Sequence, residues 1–406
     1  MSHHAHGSAP VASRHTRRIV IAVLVPAAVA TIVAMIVLWP GRVHLSTADS
    51  ANSAGVRALA TVTAVSEQAC PAGAPAAQRC GTAAVEVTRG PGANTPATVD
   101  LPQGPGAPEL HPGDKIVLLY APDAVPGGKP YVVIDHQRGT PMAWLLGLSA
   151  LAVLAFGRWR GLTSLAGLAV SFGVLLYFII PAILKGSPPL PVAVVGSAAI
   201  MFAALYLTHG VNVHTSVAVA GTLASLVLTG VLGVVFTGAM QLSGVAGDDD
   251  SFLATTLGNV DMRGLLLAGI VIGALGVLDD VTVTQAATVA ELADAGAPSR
   301  LELYRAASRI GRAHVASAVN TIVLAYAGSS LPLLLLIATG TQPVSQLLTG
   351  EFLAQEIMRS AVGTIGLVAS VPITTALAAL VADLPPARPR AKHLPARSTE
   401  QVQPRR

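Results

Sequence analysis

Two adjacent carboxylates, Asp279 and Asp280, interrupt an otherwise apolar segment of the sequence, GALGVLDDVTVTQAATVAEL at positions 273–292. A carboxylate at membrane depth is costly, and ionisable residues inside spanning segments typically serve proton relays or ion pathways. Because two neighbouring negative charges repel each other, the pair could bind a proton or share a cation. The pair is therefore the first candidate for chemistry in this chain.

Helical geometry predicts how the pair is oriented if one helix runs through it. At 100° per residue, Asp280, Thr284, Thr288 and Glu291 fall within an arc of about 80°, while the opposite side of the helix is apolar. This polar stripe predicts that Asp280 faces the interior of a helix bundle. Asp279 points about 100° away and is predicted to lie nearer the surface.

A second interpretation makes the pair a marker of the membrane surface. Thr282 and Gln285 have the T-x-x-Q spacing of a capping box, so a new helix could begin there. The spanning helix would then end near Asp280, and both carboxylates would face water. Ser299 and Glu302 form a second box of this kind, which predicts the start of a further helix. The sequence alone leaves both interpretations of the pair open.

Several other residues of the apolar segments could take part in helix packing or binding. Asn320 lies inside the segment SAVNTIVLAYAGSSLP, where an amide usually bonds a neighbouring helix. Gly269 and Gly273 have the G-x-x-x-G spacing that permits close packing of helices. His209 and His214 are five positions apart, which does not match the i, i+4 spacing of a helical metal pair. We therefore predict no metal site.

Composition indicates the class of protein to which these residues belong. Of the 406 residues, 52% are hydrophobic and only 11% are charged, whereas a soluble domain carries about 25% charged residues. The chain is therefore predicted to be an α-helical membrane protein with several spans. It contains no Walker loop, HExxH or GxSxG motif. Its basic residues lie between apolar segments, so nucleic acid is not an expected partner, and no cofactor is predicted.

An intramembrane aspartyl protease is the enzyme class that an aspartate pair would suggest. Such an enzyme places single aspartates on two facing helices. Here Asp279 and Asp280 are adjacent, and Asp261 lies at the far end of the same segment. We therefore expect no enzyme activity and assign no catalytic residue.

Eight segments are apolar and long enough, at about 20 residues, to cross a bilayer. Basic residues concentrate in the loops on one side of these segments and in the C-terminal tail. Because Lys and Arg favour cytoplasmic loops, both termini are predicted to be cytoplasmic. Abundant Ala and Arg suggest a bacterial protein, and hence the cytoplasmic membrane. The predicted spans are 19–39, 142–156, 162–184, 190–207, 216–236, 264–280, 314–338 and 360–381.

The segment 41–140 is more polar and contains runs such as VRALATVTAV and TAAVEVT. Their period-two alternation predicts a β-barrel-like domain of about five strands outside the cytoplasm. The only two cysteines of the chain, Cys70 and Cys80, lie in this domain. Outside the cytoplasm a disulfide is predicted, with two free thiols as the alternative. The remaining regions are a disordered tail at 1–18, an anchor helix at 19–39, a seven-helix membrane domain at 142–381 and a disordered basic tail at 383–406.

The segment 273–292, together with GRAHVASAVNTIVLAYAGSSLPLLLL at 311–336, resembles the YibE/F family of bacterial membrane proteins. The resemblance covers residues 142–381 and implies a polytopic domain preceded by an outer β domain. It implies no particular activity. The positions that match the family pattern are Asp280 (or Asp279), Thr282, Thr284, Glu291, Leu292, Asn320 and Thr321.

Two functions fit these observations. A permease or ion-coupled transporter would use Asp280 and Asp279 in its pathway, with Thr284, Glu291 and Asn320 as further candidates. No clear internal repeat of the kind that many transporters show supports this function. A membrane or envelope-assembly scaffold would instead use the spans as an anchor and segment 41–140 to bind a partner protein. In both cases the lipid bilayer is a partner, and the sequence names no substrate.

Overall fold

The structure is a computed structural model that describes residues 14–41, 56–70, 79–104, 106–121, 129–297, 299–339, 349–382 and 384. It divides into two compact units, residues 42–158 and residues 1–41 with 159–406. Of the two tails predicted to be disordered, residues 1–13, 383 and 385–406 lie outside the described part. Residues 14–18 are helical, because helix α1 (Arg14–Val37) begins five positions before the predicted anchor.

An antiparallel sheet of five strands occupies the described part of residues 56–136. Its spatial order is β3-β2-β1-β4-β5, and the two outer strands contact each other, so the sheet is barrel-like. Alternate side chains of the strands point into one apolar core, as period-two patterning requires. The strands are β1 (Val56–Gln68), β2 (Cys80–Arg89), β3 (Pro96–Asp100), β4 (Lys115–Tyr120) and β5 (Tyr131–His136).

Polar contacts near the start of β5 connect this strand to the β2–β3 end of the sheet. Lys129 forms an ion pair with Asp100, at 2.5 Å between Nζ and Oδ1, and the Tyr131 hydroxyl donates to the Pro91 carbonyl at 2.8 Å. Burial raises the pKa of Tyr131, and the neighbouring Tyr120 raises it further. These contacts hold the two edges of the sheet near each other.

A disulfide joins Cys70, two residues after β1, to Cys80, the first residue of β2; their Cα atoms are 5.1 Å apart. We expect this bond to stabilise the sheet by about 2–3 kcal/mol, because it restricts the unfolded chain. In the full-length protein, Cys70→Ser/Cys80→Ser should therefore accelerate proteolysis within residues 56–136 by at least about tenfold. Mass spectrometry after alkylation provides the direct check. Two alkylated thiols in the unreduced protein would contradict the disulfide.

The remaining described elements are helical. The second helical run is α2 (Gly139–Val174), which continues through a π-helical turn (Leu175–Ile179) into α3 (Ile180–Leu184). The helices that follow are α4 (Pro189–His209), α5 (Val213–Ala239), α6 (Asp248–Thr256), α7 (Met262–Asp294), α8 (Arg300–Ser329), α9 (Leu331–Thr339) and α10 (Glu351–Val381).

Six of the described helices are long and apolar enough to cross a membrane, so the chain is a multi-pass membrane protein by helix length and composition. The sequence predicts eight spans. The second and third predicted spans fall on one helical run, Gly139–Leu184, in which Arg158 has a non-helical φ of 51°. The seventh predicted span falls on α8 and α9, which are separated at Ser330 and are not among the six.

Helices α5, α7 and α10 contact one another and form the centre of the helical unit, with α4 packed on α7 and α8 packed on both α10 and α7. Two helix starts are capped by side chains. Asn212 accepts a hydrogen bond from the Thr215 N–H at the start of α5. Ser299 accepts one from the Glu302 N–H at the start of α8, as its S-x-x-E spacing predicts. These caps fix where the two helices begin.

Candidate functional site

The aspartate pair lies within the body of a long helix. Helix α7 is continuous from Met262 to Asp294, so residues 281–294 follow Asp280 in the same helix. The interpretation of Thr282 and Gln285 as a capping box is therefore wrong. Both side chains are buried instead, with relative exposures of 0% and 3%.

The two carboxylates face different sides of α7, in the reverse of the predicted arrangement. The Asp280 side chain is 76% exposed, whereas Asp279 is partly buried. Thr284 and Glu291 are exposed together with Asp280. The buried side of α7 is its Val- and Ala-rich side, which includes Ala286. Small side chains on that side permit the close helix approach that drives packing in lipid, where burying apolar area alone gives little gain.

The neighbouring helix α8 brings a histidine close to Asp280. Nε2 of His314 lies 3.9 Å from Oδ2 of Asp280, and this nitrogen is buried without a hydrogen-bond partner among the described residues. A movement of about 1 Å would bring the two atoms within hydrogen-bond distance. Asn320 of α8, predicted to bond a neighbouring helix, is exposed instead. The structure therefore brings Asp280 together with His314 and not with Asn320.

A pair of buried threonine hydroxyls links α7 to α5 one turn from Asp279. The Oγ1 atoms of Thr282 and Thr222 are 2.6 Å apart. Thr222 is also placed to donate to the Ala218 carbonyl at 2.9 Å, and Thr282 to the Asp279 carbonyl at 3.1 Å. Two hydroxyl protons cannot form three hydrogen bonds at once. Either hydroxyl can be the donor between the two threonines, and the hydroxyl that donates there gives up its bond to its own backbone carbonyl.

Gln285 connects three helices at the next turn of the buried face. Its Nε2 donates to the Ala307 carbonyl of α8 at 3.0 Å and to Oγ1 of Thr375 in α10 at 2.7 Å. Thr375 in turn donates to the Val371 carbonyl. The amide is thus a polar junction in the bundle interior, and its removal would leave buried groups without partners.

Helices α5 and α10 meet through the same short motif, Gly-x3-Ser-x3-Thr, which occurs at Gly221–Thr229 and again at Gly366–Thr374. A Cβ atom on Gly221 would overlap Oγ1 of Thr374, and one on Gly366 would overlap Oγ1 of Thr229. The helices therefore run antiparallel, and each glycine receives the threonine of the other helix. The serines at the centre of both motifs, Ser225 and Ser370, are fully buried.

The hydroxyls of this seam are only partly satisfied. Oγ of Ser225 and Oγ1 of Thr374 are buried and have no hydrogen-bond partner among the described residues, whereas Ser370 donates to the Leu367 carbonyl. By contrast, a Cβ atom added to Gly269, of the predicted G-x-x-x-G pair, would have no described atom within 4 Å. A Cβ atom on Gly273 would lie 3.5 Å from the Tyr326 hydroxyl, an ordinary contact distance, so the tight glycine contacts of this seam lie between α5 and α10 and not at the predicted pair.

Carboxylate and hydroxyl groups both offer oxygen atoms that can hold a proton or a small cation. Within the described residues, no group of three or more His, Cys, Asp and Glu side chains is placed to hold a metal ion. The arrangement supplies one partly buried carboxylate, one exposed carboxylate and a partly exposed histidine.

The buried polar residues Thr222, Gln285 and Thr375 were not among the predicted site residues. One signal for them is present in the sequence, because the 282–285 spacing that fits a helix cap also fits a buried polar face. The repeated Gly-x3-Ser-x3-Thr motif is a second signal, since it occurs twice in predicted spans. It marks two helices that approach closely enough for hydroxyl groups to meet.

Comparison with known families agrees with the resemblance seen in the sequence. The family model described as YibE/F-like protein matches residues 145–384, which is more than half of the chain. The chain belongs to the YibE/F-like family. The match includes the aspartate pair, His314 and both copies of the Gly-x3-Ser-x3-Thr motif, so the candidate site lies wholly within the family region. No curated protein and no solved structure matches the chain.

Proposed function

We propose that the protein is a permease-like, ion-coupled transporter of the bacterial cytoplasmic membrane, with Asp279 and Asp280 in its pathway. One observation carries the proposal: both aspartates lie inside a continuous, largely apolar helix, one turn from a buried hydroxyl pair that reaches the backbone carbonyl of Asp279. An ionisable group inside a spanning helix is expensive to maintain and is a functional candidate by default.

The two aspartates have different roles in this proposal. Asp280, with His314 nearby, receives a proton or cation from the exposed side of α7 and α8. Asp279, whose backbone carbonyl neighbours the Thr282 hydroxyl, passes it towards the packed helices. The exposed residues Thr284 and Glu291 lie on the entry side. Asn320 stays a pathway candidate because it is a polar group exposed in the apolar second half of α8.

Eight spans with cytoplasmic termini complete the proposed topology. The helical run Gly139–Leu184 has 46 residues, about twice the number that one span needs. Its length therefore accommodates the second and third spans, and the non-helical Arg158 lies between them. Helices α8 and α9 supply the seventh span. The arginines of α8 then lie on the cytoplasmic side, as do those of the C-terminal tail.

Cysteine labelling should separate the two sides of this topology. In a Cys70→Ser/Cys80→Ser background, we expect Ser251→Cys in α6 to react with an impermeant maleimide added to whole cells. Ala295→Cys, in the turn after α7, should react only after the membrane is opened. Both positions are exposed, and Ala295 is preferred to Ser299 because Ser299 caps α8. Equal labelling of the two positions from outside would contradict the topology.

A scaffold function is the second candidate, and the surface of the β domain favours it. Val132 and Ile134 alternate along β5 and are 53% and 41% exposed. Such apolar side chains could contact a partner protein through residues 41–140. In that case, replacing Val132 and Ile134 with Ser should remove function, whereas substitutions at Asp279 and Asp280 should be silent.

The composition of whole cells tests the transport proposal without a named substrate. Elemental and amino-acid contents should be compared between cells that lack the protein and cells that overproduce it. A transporter is expected to change the content of at least one ion or amino acid in opposite directions in the two strains. Identical contents across growth conditions would count against transport.

A further inference from the structure

A cleft of about 530 Å³ lies between α8 and α10, and neither aspartate of the pair lines it. One wall carries three arginines, Arg305, Arg309 and Arg312, which follow one side of α8 at spacings of four and three residues. The other wall, from α10, is apolar and includes Val368 and Val371. The cleft therefore has a strongly positive side and a hydrocarbon side.

The positive charge of this cleft is not neutralised within the described part of the chain. Arg305, Arg309 and Arg312 form no ion pair with any described residue, and all three are exposed. Like charges three and four residues apart on a helix destabilise it by about 0.2–0.5 kcal/mol per pair. A bound anion would relieve this repulsion and would accept hydrogen bonds from several guanidinium groups.

A buried hydroxyl adds a further donor to the cleft. Ser308 lies between Arg305 and Arg309 in the sequence and lines the same cleft. Its Oγ is buried and has no hydrogen-bond partner among the described residues. A hydroxyl of this kind normally finds a partner, and a phosphate oxygen in the cleft would provide one. Guanidinium groups bind phosphate in a bidentate manner, so the donor set fits a phosphate group well.

We propose that this cleft binds an anionic phospholipid. Its phosphate contacts Arg305, Arg309 and Arg312 and accepts a hydrogen bond from Ser308. One acyl chain lies along Val368 and Val371. A free phosphate ion would use the arginines but not the apolar wall, and the position of the cleft on helices of a membrane protein favours a lipid. Basic pockets between spanning helices on the cytoplasmic side bind anionic headgroups in this way.

Native mass spectrometry of the full-length protein in detergent tests the proposal. The probes are phosphatidylglycerol, cardiolipin, phosphatidylcholine and inorganic phosphate. We expect the two anionic lipids to bind at least about tenfold more tightly than phosphatidylcholine. Arg305→Gln/Arg309→Gln/Arg312→Gln should weaken their binding by about fivefold per arginine, roughly a hundredfold in all. The matched control, Arg17→Gln/Arg18→Gln/Arg300→Gln, removes three exposed arginines outside the cleft and should bind like the wild type.

A second variant keeps the test decisive if the triple variant does not fold. Val368 is 49% exposed, so Val368→Trp fills the apolar side of the cleft and leaves every arginine in place. It should lower the affinity for the anionic lipids. Equal loss in the control triple variant would show unspecific charge attraction and would overturn the proposal. Inorganic phosphate that binds as tightly as the lipids and is unaffected by Val368→Trp would also overturn it, in favour of a free-anion site.

Discussion

Asp279→Asn is expected to abolish the changes in cell content that overproduction of the wild-type protein causes, while the protein still accumulates in the membrane. Asn retains the shape and hydrogen-bonding capacity of Asp but cannot carry its charge, so the substitution isolates ionisation. Asp279 is the carboxylate on the buried side of α7, and its backbone contacts the Thr282 hydroxyl. We expect a loss of more than about tenfold, as for an ionisable residue in a spanning helix that takes part directly in the pathway.

Asp280→Asn should have a smaller effect, because the Asp280 side chain is 76% exposed whereas Asp279 lies on the buried side of α7. The double variant Asp280→Asn/His314→Gln should lose little more activity than either single variant if the two side chains act as a pair. Asp294→Asn is the matched control, since Asp294 is exposed at the end of the same helix. Full activity of both Asp279→Asn and Asp280→Asn would contradict a role of the two carboxylates in the pathway.

Gly221→Ala/Gly366→Ala is expected to destabilise the helical unit strongly. Each new Cβ would overlap a threonine Oγ1 on the opposite helix, so the helices must separate or the threonines must rotate. Overpacking of this kind costs about 1–3 kcal/mol per site. Thermal unfolding in detergent should show a clear decrease in Tm.

The control for this prediction is a pair of glycines at which a Cβ atom should not lower Tm. Gly276 and Gly363 are also helical, but no described atom lies within 4 Å of a Cβ added to either of them. Gly276→Ala/Gly363→Ala should leave Tm unchanged or raise it slightly, because Ala favours the helix. Thr229→Ala should rescue Gly366→Ala by removing the clashing hydroxyl. Absence of rescue would show that the two residues do not meet in the folded protein.

The sequence predicts those parts of the architecture that depend only on residues close to one another in the chain. Period-two runs predicted the strands of the β domain, and Ser299 with Glu302 predicted the start of α8. These features depend on neighbouring residues only. The membrane class likewise follows from the length and composition of the apolar segments.

The orientation of α7 could not be predicted, because it depends on which side the neighbouring helices occupy. The polar stripe through Asp280 is predicted to face inward, as charged residues in spanning helices usually do. In the structure, the neighbouring helices lie on the side with small residues and with Thr282 and Gln285. The same spacing of Thr282 and Gln285 serves a capping box or a buried polar face, and only the tertiary contacts distinguish the two.

The central claim is that the aspartate pair conducts charge, and purified protein in liposomes tests it most directly. Vesicles containing an internal pH indicator would be exposed in turn to chloride salts of Na⁺, K⁺, Mg²⁺ and Mn²⁺, with and without a pH gradient. We predict that the addition of at least one of these salts changes the internal pH of vesicles that contain the wild-type protein. Vesicles that contain Asp279→Asn/Asp280→Asn should give the same pH response as protein-free vesicles. Proton movement of equal size in the wild-type and double-variant vesicles would contradict the claim.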